Sequence, residues 1–477
     1  MNFGALRHTK MSLLCVMVTA IVAGCAVGPD YQRPMLDLPP SATAKAPALA
    51  APWWQAYNDA ALNTLMDEAL KNNRDLTIAA ARVIESQALL GLATSDQLPS
   101  AYVTATRNRN RSSSNSDRSG PGQPLETSSN RTALNISYDV DFWGQYRRAN
   151  EAARAELLQV ESNRTALKLS LSAQVAQAYF ALQALDAQLA VTARAIRRGE
   201  EGLSMQKVRF EAGVISAFEY QQREAELDAA KVQVPNLTAN RDRQQRALGM
   251  LLGRSAKDLL HATVAREPMK PLNAATDRLA TFAAIAADIP SEVLLRRPDL
   301  IEAEQKLIAT NARIGVARAA YFPSISLTGY LGRESVRLSD LFKGPSRIWD
   351  FAANLTQPLW GAGRVTKQVE AAEARNAQAL AQYQSAVVNA FRETQDALQA
   401  QTAAREVFEL ETKRVAALTK TWELAKLRYA QGLASQLDVL DVERSLTGAE
   451  LNRIDSARAF RSAVADVYRA LGAPVQE

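Results

Sequence analysis

The chain is nearly without the residues that reactive chemistry uses: 2 cysteines and 2 histidines in 477 residues. Cys15 lies inside an apolar N-terminal stretch and Cys25 just beyond it. Cleavage of the first and modification of the second would leave no thiol for a disulfide, redox or zinc site. His261 is then the remaining histidine. Ser-His-Asp triads, Cys-His pairs and His-rich metal sites need several such groups converging, so no catalytic residue and no metal ligand set is expected. Any enzyme would have to run on carboxylates, Lys or Tyr alone. Aromatics make up only 6% of the chain and its basic and acidic residues are interspersed, which leaves no nucleic-acid footprint. The formal net charge of +6 drops to +4 if Arg7 and Lys10 are lost with the signal. No uninterrupted apolar run of about 18 residues follows Cys25, so no transmembrane helix is expected in the mature protein.

What is present begins with an export signal over residues 1–24. Arg7, His8 and Lys10 form a basic region, and "MSLLCVMVTAIVA" is apolar but too short to span a bilayer comfortably. Val22-Ala23-Gly24-Cys25 resembles the lipobox of bacterial lipoproteins, which makes Cys25 the expected lipid attachment point and the covalent lipid the one non-protein group. Ala26 follows it, in place of the Asp that favours retention at the inner membrane. Residues 25–52 read as anchor and Pro/Ala-rich tether.

The rest is a duplicated unit. "NNRDLTIAAARV" parallels "RRPDLIEAEQKL", "LPSAYVTA" parallels "FPSISLTG", Trp143-Gly144 parallels Trp360-Gly361, and "KVRFEAGVISAFEYQQREAEL" parallels "KLRYAQGLASQLDVLDVERSL". The first repeat, 53–264, is expected to hold a helix, a hairpin about 99–142, a long helix 143–211 and a return helix 216–250. A connecting segment, 265–295, leads to the second repeat, 296–477, with a helix, a hairpin about 322–358, a long helix 361–431 and a return helix 435–471. The long helices contain no proline and would be rods on the order of 100 Å. Leu171, Val175, Ala178, Leu182, Leu185 and Leu189 step by four and three along the first, a coiled-coil seam; Val365, Val369, Ala372, Tyr383, Val387 and Phe391 form a similar stripe on the second. Pro235 should bend its helix.

The hairpins alternate polar and apolar residues. Leu134, Ile136, Tyr138, Val140 and Phe142 oppose Asn135, Ser137, Asp139 and Asp141. Ile325, Leu327 and Leu331 oppose Ser324, Ser326 and Thr328; Trp349, Phe351 and Leu355 oppose Asp350, Asn354 and Thr356. Aromatics gather near the strand ends, at Tyr102, Tyr138, Phe142, Trp143, Tyr321, Phe322, Trp349 and Trp360, as in an interfacial girdle. Lipid-facing strands must close into a barrel, because a bilayer offers unpaired backbone groups no partner. One chain supplies about four strands where the smallest such barrels use about eight, so the chain must oligomerise. The pattern by itself does not choose between two and three copies.

"CAVGPDYQRP", Trp53-Trp54, "WGQYRR", "QVPNL", "LLRRPDL" and "RYAQGLASQLDVLDVERSL" resemble the outer-membrane efflux lipoproteins, the OprM/NodT branch of the TolC family, in that family's order across nearly the whole mature chain. The resemblance implies a mainly α fold with a membrane β-barrel: a homotrimer whose strands form one barrel and whose helices form a periplasmic tunnel. It implies an exit duct in the outer membrane of a Gram-negative bacterium, fed by a periplasmic adaptor and an inner-membrane transporter of the RND type. A duct for protein secretion and a lumenless structural envelope lipoprotein stand as alternatives.

The resemblance also points to sites. Arg209-Phe210-x-x-Gly213-x-x-Ser216 and Arg428-Tyr429-x-x-Gly432-x-x-Ser435 each break a long helix at glycine, and the family places such turns at the periplasmic tip where adaptor hairpins dock. Gly213, Ser216, Gly432 and Ser435 are therefore the expected docking turns. Leu437, Asp441 and Arg444 share a helix face on which Asp441 and Arg444 can pair; positions matching them constrict the tunnel in relatives, and the position matching Tyr429 helps lock neighbouring helices. Relatives often carry Arg after that Tyr. Here Ala430 stands there, so the lock is expected to be weaker or to use Arg428.

Overall fold

The computed structural model describes residues 26–37, 52–113, 115, 124–261, 263–269 and 294–475. The signal, Cys25, most of the tether and residues 270–293 of the connecting segment lie outside the described residues. The described residues divide between two compact units, one drawn from Met1–Met35, Val83–Val160 and Ala303–Tyr383, the other from Leu36–Arg82, Glu161–Glu302 and Gln384–Glu477.

In chain order the elements are a 3₁₀ turn (Trp53–Tyr57), α1 (Ala60–Asn72), α2 (Arg74–Ser95), β1 (Ser100–Arg111), β2 (Glu126–Val140), α3 (Gln145–Glu211), α4 (Ala217–Leu251), α5 (Ala256–His261), α6 (Pro298–Ala319), β3 (Ser324–Ser335), β4 (Arg347–Thr356), α7 (Arg364–Ala430) and α8 (Gln436–Ala470). The two repeats match in length as well as order. α3 and α7 both have 67 residues, α4 and α8 both 35, and α2 and α6 both 22. Pro235 stands inside α4, which stays helical on both sides of it.

The strands make one antiparallel sheet in the order β1-β2-β3-β4, so the two hairpins join through β2 and β3. The register sorts side chains onto two faces. Val103, Leu134, Leu331 and Trp349 are directly opposite one another in a row across all four strands; Ala101, Ile136, Gly329 and Phe351 form the next row, and Tyr138, Leu327 and Ala353 the one after. These apolar rows are open, with Val103 70% and Trp349 77% exposed. Tyr102, Asn135, Tyr330 and Asp350 make a row on the other, polar face. Tyr102 thus departs from the expected girdle, because its even position in β1 turns it to the polar side. Trp143 does sit at a strand base, stacked on Phe322 with centroids 4.5 Å apart and donating its indole N–H to the Pro323 carbonyl at 2.8 Å.

Among the described residues α2 is the one helix long and apolar enough, by length and composition, to cross a membrane. Arg82 and Glu85 interrupt the run, which hides it from a search for unbroken apolar sequence. Ile78, Ile84, Leu89 and Leu92 lie exposed along it.

The second unit is held by the Trp53-Trp54 opening. Trp53 is buried, stacks on Tyr468 with centroids 5.1 Å apart, and donates its indole N–H to Ser172 Oγ at 3.2 Å. Of the α3 seam, Leu171, Val175, Ala178 and Leu182 are buried while Leu185 and Leu189 are half-buried. The Arg297-Pro298-Asp299 start of α6 clamps the end of α8: the Arg297 guanidinium donates to the Ala470 carbonyl at 2.8 Å and to the Glu393 carboxylate at 2.9 Å. A long, always-charged side chain suits this task, since it reaches carbonyls left orphaned at a helix C-terminus.

Candidate functional site

Both helix-breaking turns have one geometry. Gly213 has φ +72° and Gly432 has φ +75°, a left-handed conformation that glycine adopts without a Cβ clash. The Gly213 N–H donates to the Phe210 carbonyl at 2.9 Å and the Val214 N–H to the Arg209 carbonyl at 2.9 Å; Gly432 to Tyr429 at 3.0 Å and Leu433 to Arg428 at 2.8 Å repeat the pattern. These are Schellman closures, which satisfy the last carbonyls of each rod. The chain then re-enters helix through a capping box. Ser216 Oγ accepts from the Glu219 N–H at 3.3 Å while Glu219 Oε2 accepts from the Ser216 N–H at 2.8 Å. Ser435 and Asp438 do the same at 3.2 and 2.8 Å. The Ser216 N–H, then its hydroxyl, holds the Glu219 carboxyl below its ordinary range, and Ser435 does the same for Asp438. A Cβ on Gly213 or Gly432 would meet no other group within 4 Å, so packing within the chain does not require glycine there; the backbone does.

Tyr429 joins the second rod to the first by hydrogen bonds. Its hydroxyl accepts from Arg209 Nη1 at 2.6 Å and from Gln206 Nε2 at 3.0 Å, and the Arg209 guanidinium lies 5.6 Å from the ring centroid. Arg428 makes no such bond to Tyr429. Its guanidinium turns back to the Leu433 carbonyl of its own turn at 3.4 Å, because successive helix positions point about 100° apart. The tyrosine therefore draws its cation from the other repeat, at the position equivalent to Arg428. Phe210, the counterpart of Tyr429, has no hydroxyl and stacks on Tyr220 instead, with centroids 5.4 Å apart.

Arg444 lies 3.7 Å from Asp441, as spacing suggested, but its closer partner is Glu226 on α4, which neither repeat motif signalled. Leu437 is exposed at 48%. Tyr429 and Arg444 thus belong to separate contacts, one to α3 and the other to α4. Deeper along the same helices, buried Arg223 on α4 donates to Glu443 at 2.9 Å and to the Arg198 carbonyl at 3.0 Å, and Arg198 lies 3.6 Å from Glu443. Gly202 leaves room for it, since a Cβ there would lie 2.4 Å from Arg223 Nη2. Polar contacts of this kind can part without unfolding a helix, so the group is suited to a latch between helices; nothing in it is arranged as nucleophile and base. Among the described residues no group of three His, Cys, Asp or Glu could hold a metal ion.

The segment after Cys25 is strapped onto α3 and α6. The Val27 N–H donates to the Trp143 carbonyl at 3.0 Å, Asp30 accepts from Arg148 at 2.6 Å, and Asn311 donates to the Pro29 carbonyl at 2.9 Å. Glu304 takes the guanidinium of Arg33 and, at 3.1 Å, the hydroxyl of Tyr31. Burial raises the Glu304 pKa, but the Arg33 hydrogen bond and charge outweigh it and hold the carboxyl below its ordinary range. Gly28 has φ +116° and its absent Cβ would come 2.5 Å from Gly315 Cα, so two glycines permit the contact. Residues 26–34 of the motif "CAVGPDYQRP" thus form a docking strap.

A family model described as "Outer membrane efflux protein" matches residues 65–254 and 289–473. The chain is 31% identical to the cation efflux system protein CusC of Escherichia coli K12 over 474 residues, covering 96% of this chain and 98% of that one. It is 32% identical to the outer membrane protein OprJ of Pseudomonas aeruginosa over 478 residues, covering 98% and 96%. Its fold matches the crystal structure of the Campylobacter jejuni CmeC outer membrane channel with a TM-score of 0.86 and 26% identity, over 95% of this chain and 96% of that chain.

Proposed function

The chain belongs to the outer membrane efflux protein family and is an exit duct of the outer membrane, and from that premise we propose that it works as a homotrimer receiving its cargo from a periplasmic adaptor and an inner-membrane transporter of the RND type. The observation that supports an oligomer is the sheet. It has one exposed apolar face, one polar face and, among the described residues, no pairing along the outer edges of β1 and β4. A bilayer does not tolerate such edges, so they must be closed by further copies. Three copies supply about twelve strands, enough for a lumen wetter than that of an eight-stranded barrel. The exposed apolar stripe of α2 asks for the same neighbours, since contiguous apolar surface of this kind marks an interface.

In this reading Cys25 carries a covalent lipid, Gly213, Ser216, Gly432 and Ser435 shape the turns that meet the adaptor, and Tyr429, Leu437, Asp441 and Arg444 form the resting gate. The strap supports the lipid, since it pins Ala26 beside Gly144 at the base of the strands, where an acyl chain on the preceding residue would meet the bilayer. The cargo is drugs or other small molecules; the name of CusC adds cations as a second class to try. Native mass spectrometry with planar-bilayer recording tests the proposal. A trimer that conducts ions is expected, whereas a conducting dimer would overturn the stoichiometry and a protein without conductance would leave only a structural lipoprotein.

A further inference from the structure

Beyond the apolar band, the strand ends remote from the helices carry an arginine belt. The helices join the sheet at Ser100, Val140, Ser324 and Thr356, so the opposite ends, near Arg111, Glu126, Ser335 and Arg347, are those that loops connect. Continuing the register outward from the row of Val103, Leu134, Leu331 and Trp349 gives Ala105, Thr132, Arg333 and Arg347, then Arg107 opposite Asn130, Arg109 opposite Ser128 and Arg111 opposite Glu126. All share the apolar face, because each step is two residues. Five arginines thus stand above the apolar band with one carboxylate, Glu126, which pairs with Arg109 at 2.8 Å and Arg111 at 3.7 Å. Among the described residues Arg107 and Arg347 have no ion-pair partner, and Arg333 donates only to the neutral carbonyls of Phe342 and Lys343.

Arg333 and Arg347 are directly opposed across β3 and β4. Like charges at cross-strand positions repel, so an anion between them would lower the energy of the sheet. The polar face shows the contrast: at the same level Arg131 stands opposite Glu334, a residue of opposite charge. We propose that the Arg107, Arg109, Arg111, Arg333 and Arg347 belt binds the phosphates of an anionic glycolipid, the head-group chemistry of lipid A, in the leaflet facing away from the helices. The inference rests on the barrel reading above, which puts the apolar face in lipid. Charge complementarity favours this occupant: guanidinium groups take phosphate oxygens in pairs, and the apolar band directly below accommodates the acyl chains. Closing the barrel with copies of the chain would bring β4 beside β1 of the next copy, both of which carry arginines at this end.

The test titrates the detergent-purified full-length protein with diphosphoryl lipid A or with dephosphorylated lipid A, counting retained lipid by native mass spectrometry. Retention of the diphosphoryl form is expected to exceed that of the dephosphorylated form roughly tenfold, on the scale of the interfacial attraction of basic residues. Arg333→Gln with Arg347→Gln should lose the preference, and Arg131→Gln on the polar face should keep it. Equal retention of the two lipids by the wild type overturns the proposal whatever the variants do. Conductance in phosphatidylcholine bilayers separates the two readings: a conducting trimer without lipid preference sinks the belt alone, while a protein that neither assembles nor conducts sinks the barrel.

Discussion

The hydroxyl of Tyr429 accepts a 2.6 Å hydrogen bond from Arg209, a residue of the other repeat. A bond to a charged donor is strong for its size, and this one joins two 67-residue helices beside the turns that end them. Tyr429→Phe keeps the ring and removes the acceptor. At about 1 kcal/mol for a partly exposed bond, the closed-to-open balance should shift about fivefold toward open. Planar-bilayer recordings should show a higher open probability, and Arg209→Ala should do at least as much. An unchanged open probability in both variants would put the gate elsewhere.

A second contact, between α4 and α8, is electrostatic. Arg444 sits between Glu226 and Asp441, all three partly exposed, and three copies around an axis would set a ring of carboxylates that favours cations. Asp441→Ala with Arg444→Ala should raise the resting conductance and let large antibiotics into cells. Glu226→Gln should reproduce part of that effect, since it removes the closer partner of Arg444. An exposed pair contributes about 0.2–1 kcal/mol, so the increase should be clearest in low salt, where charges are least screened. Double-mutant currents equal to wild type under those conditions argue against this gate.

What could be read in advance follows the range of the physics involved. Alternation in "NISYDV" and the glycines at 213 and 432 are local, fixed by period and by φ, and both stand as read, whereas Asp141 and Phe142 fall beyond the end of β2. The pairing of Arg209 with Tyr429 was not legible, because it depends on the relative rotation of two helices 220 positions apart. One signal did exist: "KVRF" and "KLRY" are equivalent, so the cation and the hydroxyl could have been sought in opposite repeats. Glu226 had no such signal, since it follows Ala225, the counterpart of Arg444. The strap was visible only as a motif, because an extended segment carries no hydrophobic period and its partners lie on helices far along the chain.

The turns make a distinct claim about docking. Gly213 and Gly432 have open space where a Cβ would go, so a bulky residue there costs backbone strain, about 1–2 kcal/mol, without a clash inside the chain. Gly213→Leu with Gly432→Leu should therefore still assemble trimers yet fail to support efflux. Site-specific crosslinking to the adaptor should fall away in the same variant. Crosslinking at the wild-type level would show that the glycines serve the turn alone.

The same turns should loosen in acid. Glu219 and Asp438 have folded-state pKa values below their ordinary 4.5 and 3.8, held there by the N–H and hydroxyl of Ser216 and Ser435. A carboxyl depressed on folding contributes its stability above the unfolded value and loses it as pH falls through the folded one. Hydrogen-exchange protection factors at the first turns of α4 and α8, corrected for the intrinsic pH dependence of amide exchange, should fall below about pH 4 and stay flat above about pH 6. Ser216→Ala with Ser435→Ala should exchange fast at neutral pH already, and lose the acid dependence. A wild-type profile flat down to about pH 3 would mean that the capping boxes do not hold these turns.

The anchor and the strap can be separated. Cys25→Ala removes the expected lipid but leaves Asp30, Tyr31 and Arg33 free to dock on Arg148 and Glu304, so trimers exported through another signal should still assemble and conduct. Gly28→Leu does the reverse: its Cβ would meet the Gly315 backbone at 2.5 Å in a left-handed conformation, a strain of about 1–3 kcal/mol that should peel the strap away. Limited proteolysis should then cut within residues 26–37 of Gly28→Leu and spare the wild type, while intact-mass analysis finds lipid on both. An unmodified Cys25 in wild-type protein from the native membrane would remove the lipid from this account, and the strap would be left as the sole fastening of the N-terminal segment.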